Sequence, residues 1–409
     1  MSNPTSRLQL KKGREKPVLN RHPWIFSGAI QQVQGQPEPG DLVDIVSAKG
    51  EWLCRAYFNP HSQIRARILT WDENQAIDEA FWQAKIQQAI NGRSALQLQP
   101  ATTAYRLINA ESDGLPGLIV DKYGPYLVIQ CLTLGIDRRK EMLINLLENM
   151  LQPEGIIERS DVSVREKEGL TEIAAVHRGK RPSANLIIRE NNHQFAVNLL
   201  EGHKTGLYLD QRDNRAAVCQ PQHIAGKNVL NLFAYTGGFA IYAAAAGASK
   251  ITNVDSSADL LTQAEQNIQL NGHERPQDEY IVADAFQLLR HYRDTNRTQW
   301  LDSNRRFDVI ILDPPKFAHS QRDIKAATRG YKDLNWLAMR LLNPGGLLAT
   351  FSCSGLISMD LFQKVLFGAS VDAGREVQII QTLTQSADHP VLLTFPESTY
   401  LKGFLGRVQ

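Results

Sequence analysis

Two stretches of this 409-residue chain carry residue types suited to covalent chemistry on a planar ring. The first is Ile310-Ile-Leu-Asp-Pro-Pro-Lys-Phe317, where an apolar run leads into Asp313 and two prolines forbid the strand from continuing. The second is Leu347-Leu-Ala-Thr-Phe351, which runs into Ser352-Cys353-Ser354. Open α/β sheets bind their ligands beyond the carboxyl ends of the strands, and both reactive groups stand there. A carboxylate holds a base edge by hydrogen bonds; a thiolate adds to an electron-poor carbon. Asp313 and Cys353 are therefore expected to face one flipped nucleobase, with Cys353 attacking it. A lone cysteine is most often a small buried hydrophobe. Two flanking serines at the mouth of a ligand crevice weigh against that here.

The elements that must position these groups begin near residue 195. Strand-like runs at Val229–Phe233, Ile251–Asp255, Tyr280–Ala283, Asp308–Leu312 and Leu347–Phe351 alternate with helix-like segments, among them Gly237–Ala248, Ser257–Leu270 and Gly330–Leu342. This alternation predicts a doubly wound, mostly parallel sheet. The tail, Glu376–Thr382 with Leu401–Val408, is expected to pair antiparallel on its edge.

After the first of these strands comes Ala234-Tyr-Thr-Gly-Gly-Phe239. It lacks the GxGxxG spacing of a dinucleotide fingerprint, and a tight turn without a phosphate cradle suits a ligand with no pyrophosphate. Asp255 ends the second strand, where a carboxylate can accept both ribose hydroxyls, and Asp284 ends the third. Any one of these acids fits a helix N-cap; acids at successive strand ends, Asp313 included, fit a nucleoside carrying a sulfonium, S-adenosylmethionine. The cofactor-facing set expected from this is Asn231, Phe233, Ala234, Tyr235, Thr236, Gly237, Asp255, Asp284, Ala285 and Asp313. Lys204–Arg212, with Gln211, is expected to fold over the methionine end, with a solvated loop as the rival reading.

Residues 1–72 read as a small all-β domain, expected to close into a β-barrel, 73–192 as a central α+β domain and 193–409 as the α/β domain. Lys and Arg total 45 against 43 acids, a net charge of +2, so a nucleic-acid partner must be argued from local charge. The first seventy residues hold ten Lys/Arg against five acids. Lys12, Arg14, Lys16, Arg21, Arg65 and Arg67 are the candidate RNA contacts there, with a solvated basic face as the rival reading. Lys316, Arg322, Lys325, Arg329, Tyr331 and Lys332 follow the acid and could grip phosphates as well, with a charged helix face as an equal rival reading. The charges of Arg159–Lys167 read as solvated. Cys54, Cys131, Cys219 and Cys353 are scattered without a CxxC pair, so neither a zinc site nor a disulfide framework is expected. The N-terminus lacks the apolar core of a signal peptide, and the most hydrophobic helical run is too short to span a bilayer, so a cytoplasmic protein is expected.

Asp313-Pro-Pro-Lys-Phe resembles the (Asn/Asp)-Pro-Pro-aromatic signature of base-amino methyltransferases, with Lys316 where the aromatic would stand. More specifically, the chain resembles the ribosomal RNA large subunit methyltransferase I family. The blocks are Lys12–Lys16, Arg21–Gly28, Gln63–Arg67, Glu111–Gly117, His203–Gly206, Tyr208–Arg212, Tyr235–Phe239, Asp313–Phe317, Gly330–Asp333, Phe351–Gly355 and Tyr400–Phe404, in order along nearly the whole chain. The resemblance implies a PUA domain, a central α+β domain and a Rossmann-like class I methyltransferase domain. It also implies formation of 5-methylcytosine at cytosine 1962 of 23S rRNA, with Cys353 as nucleophile and S-adenosylmethionine as donor. Other RNA cytosine-5 methyltransferases carry a second cysteine in the Asp313 motif; this chain has Lys316. Two alternatives stand beside this reading: methylation of a purine amine or ring nitrogen, and a non-catalytic RNA-binding or assembly factor. The oligomeric state, a homodimer included, stays open.

Overall fold

The structure is a computed structural model that describes residues 6–202, 204–294 and 305–409; His203 of the family-like blocks and residues 1–5 of the N-terminus lie outside them. The chain forms two compact units.

The first unit opens with β1 (Arg7–Leu10), α1 (Lys16–Leu19), β2 (Trp24–Phe26), β3 (Ile30–Gln34), β4 (Leu42–Val46), β5 (Trp52–Phe58) and β6 (Ile64–Thr70). These strands build a six-stranded sheet in the order β2-β6-β5-β4-β1-β3. Alternating apolar residues supply its core, including Leu8, Val43, Ile45 and Ala56. Then follow α2 (Glu79–Ser94), β7 (Ala104–Asn109), β8 (Leu118–Tyr123), β9 (Tyr126–Cys131), α3 (Leu134–Asp137), α4 (Lys140–Leu151), β10 (Gly155–Ser160) and β11 (Ile173–Gly179). They form a five-stranded sheet, β11-β10-β9-β8-β7. Tyr57 and Leu69 of the first sheet share one apolar cluster with Trp82, Ile108 and Leu147, and the first compact unit takes in both sheets.

Arg159 and Arg165, expected in solvent, are buried. Arg159 donates to the Leu199 carbonyl at 2.9 Å, and Arg165 to Asp137 at 3.0 Å. Charges this deep need such partners.

β12 (Leu186–Glu190) and β13 (His193–Val197) carry the chain to the second unit. There α5 (Arg212–Val218) and α6 (Pro221–Ile224) precede β14 (Asn228–Leu232), α7 (Gly238–Ala245), β15 (Lys250–Asp255), α8 (Ala258–Leu270), β16 (Glu279–Val282), α9 (Ala285–Arg293), β17 (Phe307–Leu312), α10 (Ile324–Leu341), β18 (Leu342–Ser352), α11 (Met359–Ala373), β19 (Val377–Thr384) and β20 (Lys402–Val408). The sheet order is β16-β15-β14-β17-β18-β20-β19. The first five strands are parallel, and β20 lies antiparallel between β18 and β19. β17, Phe-Asp-Val-Ile-Ile-Leu, is apolar almost throughout because helices cover both of its faces. Leu288, Leu334, Leu337 and Leu341 pack against this sheet.

α10 starts at Ile324, six residues earlier than the sequence suggests. A capping box between Ser320 and Asp323 closes the short 3-10 turn Gln321–Asp323 that leads directly into it. β18 starts at Leu342, pairing with Phe307 before an irregularity and resuming at Leu347.

Candidate active site and cofactor turn

Strand order alone gathers the expected groups along one edge. The chain reverses direction across the sheet between β14 and β17, so a crevice opens at their carboxyl ends. Leu232 pairs with Val254 and Leu312, and Leu312 with Thr350. Asp255, Phe233, Asp313 and Phe351 therefore stand level on neighbouring strands, with Cys353 two residues further along.

The turn after β14 is held in an uncommon shape. Phe233 and Tyr235 have φ of 59° and 50°, and Gly237 has φ of 83°. Asp255 fixes it: one oxygen accepts the Tyr235 N–H at 3.0 Å, the other the Ser257 N–H at 3.1 Å. The Thr236 carbonyl accepts from Asn267 at 3.0 Å, and a Cβ on Gly237 would lie 3.0 Å from that of Ala264. Ala234 and Thr236 are buried, and α7 begins at once. A carboxylate offers about four acceptor positions, so Asp255 can shape the turn and still receive ribose hydroxyls.

Two expected cofactor residues do other work. Asn231 is 1% exposed and donates to Asn253 of the adjacent strand at 3.0 Å, so it ties two strands together instead of facing a ligand. Gln211 is also buried, its Oε1 taken by Asn214 at 2.6 Å. Asp284 caps α9 by accepting the Gln287 N–H at 2.9 Å, and Ala285 is the buried first residue of that helix. Ahead of α5, Asp210 accepts from Tyr400 at 2.7 Å, which joins two of the family-like stretches.

On the other side of the crevice, Cys353 is half-buried and its thiol donates to the Pro314 carbonyl across 3.9 Å. Tyr331, from α10, lies beside them. Its ring centroid is 4.6 Å from that of Phe317, and its hydroxyl accepts from Ser352 at 3.0 Å. Burial pushes the phenol up to about 12, and negative charge on Cys353 and Asp313 adds to the push. Tyr331 is thus neutral at physiological pH and within electrostatic reach of both. The sequence placed it among phosphate-gripping residues, but at 1% exposure it faces the site and no phosphate reaches it. Burial raises the thiols of Cys54, Cys131 and Cys219, which sit inside the protein.

Of the basic candidates, Lys12, Arg14, Lys16, Arg21 and Lys316 are exposed. Arg65 is half-buried and donates to the Pro60 carbonyl. Arg67 is a correction: it is 6% exposed and ion-paired with Glu168 at 2.9 Å and Glu111 at 3.4 Å, a structural cation. Lys332 pairs with Asp372 of α11 at 2.7 Å.

A PUA-like domain model matches residues 8–71, and an S-adenosylmethionine-dependent methyltransferase model matches residues 172–375. Ribosomal RNA large subunit methyltransferase I of Klebsiella pneumoniae is 48% identical over 98% of both chains. The chain belongs to the ribosomal RNA large subunit methyltransferase I family. The Shewanella denitrificans member is 49% identical, covering 98% of this chain and 99% of its own. Among solved structures, SMU.776 complexed with SAH superposes with a TM-score of 0.84 over 98% of this chain and 99% of that one; at 21% identity this likeness speaks for the fold. The methyltransferase domain of this chain is S-adenosylmethionine-dependent. No described helix is long and apolar enough to cross a membrane.

Proposed function

We propose that this chain makes 5-methylcytosine in 23S rRNA, at cytosine 1962 as the family resemblance implies, through a covalent bond between Cys353 and carbon 6 of the ring. The observation that carries the reading is Cys353 itself: a half-buried thiol beside the Pro314 carbonyl at the carboxyl edge of the sheet. The 48–49% identical relatives are ribosomal RNA large subunit methyltransferases by name, which supports a ribosomal RNA substrate.

Carbon 5 of cytosine is not nucleophilic until a thiolate adds to carbon 6. Reaching that face requires the base to leave its stack. The Cys353 sulfur forms the bond to carbon 6 as the ring double bond breaks, and the displaced pair makes carbon 5 reactive. Asp313 binds the amine or the ring nitrogen; as a carboxylate it accepts from the amine, and only in its protonated form does it donate to the ring nitrogen and offset the negative charge that develops there. S-adenosylmethionine supplies the electrophilic methyl group. A base then takes the carbon 5 proton, the pair from that C–H bond re-forms the ring double bond, and the carbon 6–sulfur bond breaks to release Cys353 as thiolate. Asp255 and the Phe233–Gly237 turn hold the donor, with Asp284 and Ala285 beside the base end. Lys12, Arg14, Lys16, Arg21 and Lys316 neutralise RNA phosphates, in a protein of the cytoplasm.

The test is mass spectrometry of 23S rRNA nucleosides from cells carrying wild-type protein or Cys353→Ala. Loss of the 5-methylcytosine with the variant supports the proposal. Its retention overturns the covalent route, and a methylated purine in its place points to the amine or ring-nitrogen reading. Intact RNA affinity without S-adenosylmethionine binding, read by calorimetry, would mark a non-catalytic factor.

A further inference from the structure

Lys402 opens β20 and pairs with Ser352, the last residue of β18. Its side chain runs inward: the residue is 2% exposed. Nζ donates to the carbonyls of Ser354 and Ile357, both at 2.6 Å. These carbonyls belong to the turn that follows Cys353, so the amine ties that turn to the sheet. No carboxylate of the described residues pairs with it. A buried ammonium with only carbonyl partners is costly, because carbonyl dipoles replace water but do not cancel the charge. A structural staple alone needs no charge in such a place.

We infer that Lys402 is the counter-charge of the Cys353 thiolate as well as the anchor of its turn, an inference that rests on Cys353 being the nucleophile. Burial pulls the Lys402 ammonium down to about 8, and interaction with Cys353 works in the opposite direction. Cys353 follows Ser352, the β18 partner of Lys402, and precedes Ser354, whose carbonyl takes the ammonium, so the amine is anchored on both sides of the sulfur's residue. A proton leaving the sulfur creates the negative charge that the ammonium lacks. Lys402 thus acts through Cys353 and is a positioning residue: it raises the thiolate fraction and keeps the sulfur at the crevice.

The readout is iodoacetamide alkylation of the full-length protein across pH 5 to 10, followed on the Cys353 peptide by mass spectrometry. The wild-type midpoint should fall about one unit below the ordinary thiol value of about 8.5. Lys402→Met should raise it by about one unit, slowing alkylation at pH 7 about tenfold, whereas Lys402→Arg should stay within about threefold of wild type. A wild-type midpoint at or above the ordinary thiol value overturns the inference without any variant having to fold. So does a Lys402→Met protein with unchanged melting, unchanged S-adenosylmethionine affinity and an unchanged midpoint. Should Lys402→Met fail to fold, Lys402→Gln, which keeps a donor for the turn, decides by the same comparison. The alkylation midpoint is read without any methyl transfer. Retained rRNA methylation in Cys353→Ala would therefore sink the proposed function, while an unshifted thiol beside an inactive Cys353→Ala would sink the role of Lys402 alone.

Discussion

The Asp255 carboxylate accepts the backbone N–H of Tyr235 at 3.0 Å, across the gap between two parallel strands. Tyr235 and Phe233 both hold left-handed backbone, which costs a non-glycine residue about 1–2 kcal/mol. The charged hydrogen bond, worth about 1.5–3 kcal/mol, offsets that cost and keeps the turn open for a ligand. Asp255→Ala should therefore weaken S-adenosylmethionine binding at least about tenfold in calorimetry. Asp255→Asn, which keeps one acceptor, should weaken it less. Wild-type affinity in the alanine variant would show that the turn holds its shape without this carboxylate.

Gly237 and Gly238 are neighbours with different demands. Gly237 has φ of 83°, and an added Cβ would meet the Cβ of Ala264 at 3.0 Å and its Cα at 3.1 Å. Gly238 begins α7, and its added Cβ would meet only the flexible end of Arg215, at 3.2 Å. Gly237→Ala should thus destabilise by more than about 1 kcal/mol in urea unfolding, with a loss of cofactor affinity. Gly238→Ala should lie near wild type or slightly above it. Equal effects at the two positions would contradict this account.

Much of the α/β unit is legible in the sequence because parallel strands covered on both faces must be near-continuous apolar runs, as in Phe307–Leu312. The strand-end placement of Asp313 and Cys353 is legible for a related reason, since a polar residue closing such a run falls at the carboxyl edge of the sheet. Tyr331 is harder. It lies among Arg329, Lys332 and Asp333, and only the phase of α10 shows that it turns inward. Arg67 hides its role because Glu168 is 101 residues away and no local pattern joins them. Lys402 makes its hydrogen bonds to backbone carbonyls, which carry no sequence signature at all.

Glu279 gives the α/β unit an acid-sensitive clasp. Partial burial alone would raise its carboxyl, but hydrogen bonds from Arg305, Lys250 and Thr252 outweigh that and hold it at about 2, below the usual 4.5. A depressed carboxyl contributes stability above its unfolded value and loses it as pH falls toward the folded one. Thermal melting of the wild type should therefore decline between about pH 4.5 and pH 2 more steeply than that of Glu279→Gln. The difference should be modest, because the side chain keeps 30% of its surface in water, which screens these charges. Parallel acid limbs in the two proteins would show that the clasp carries no net stability.

The two kinds of basic residue in the N-terminal sheet should separate in a single experiment. Arg67 is sealed between Glu168 and Glu111, and removing one partner of a buried ion pair costs about 3–5 kcal/mol because the other charges stay behind. Arg67→Ala should lower the unfolding free energy by about that amount. In protein that remains folded, it should leave the salt dependence of RNA binding as it was. Lys12, Arg14 and Lys16 are exposed, and substitutions there should move stability by no more than about 0.5 kcal/mol each. If they neutralise phosphates of single-stranded RNA, changing all three to alanine should cut the slope of log affinity against log salt by about two, at roughly 0.7 per contact. Filter binding over 50–300 mM salt reads that slope directly. An unchanged slope in the triple variant would leave this basic face as solvated surface, and a slope change in Arg67→Ala would mean that its ion pairs open when RNA docks.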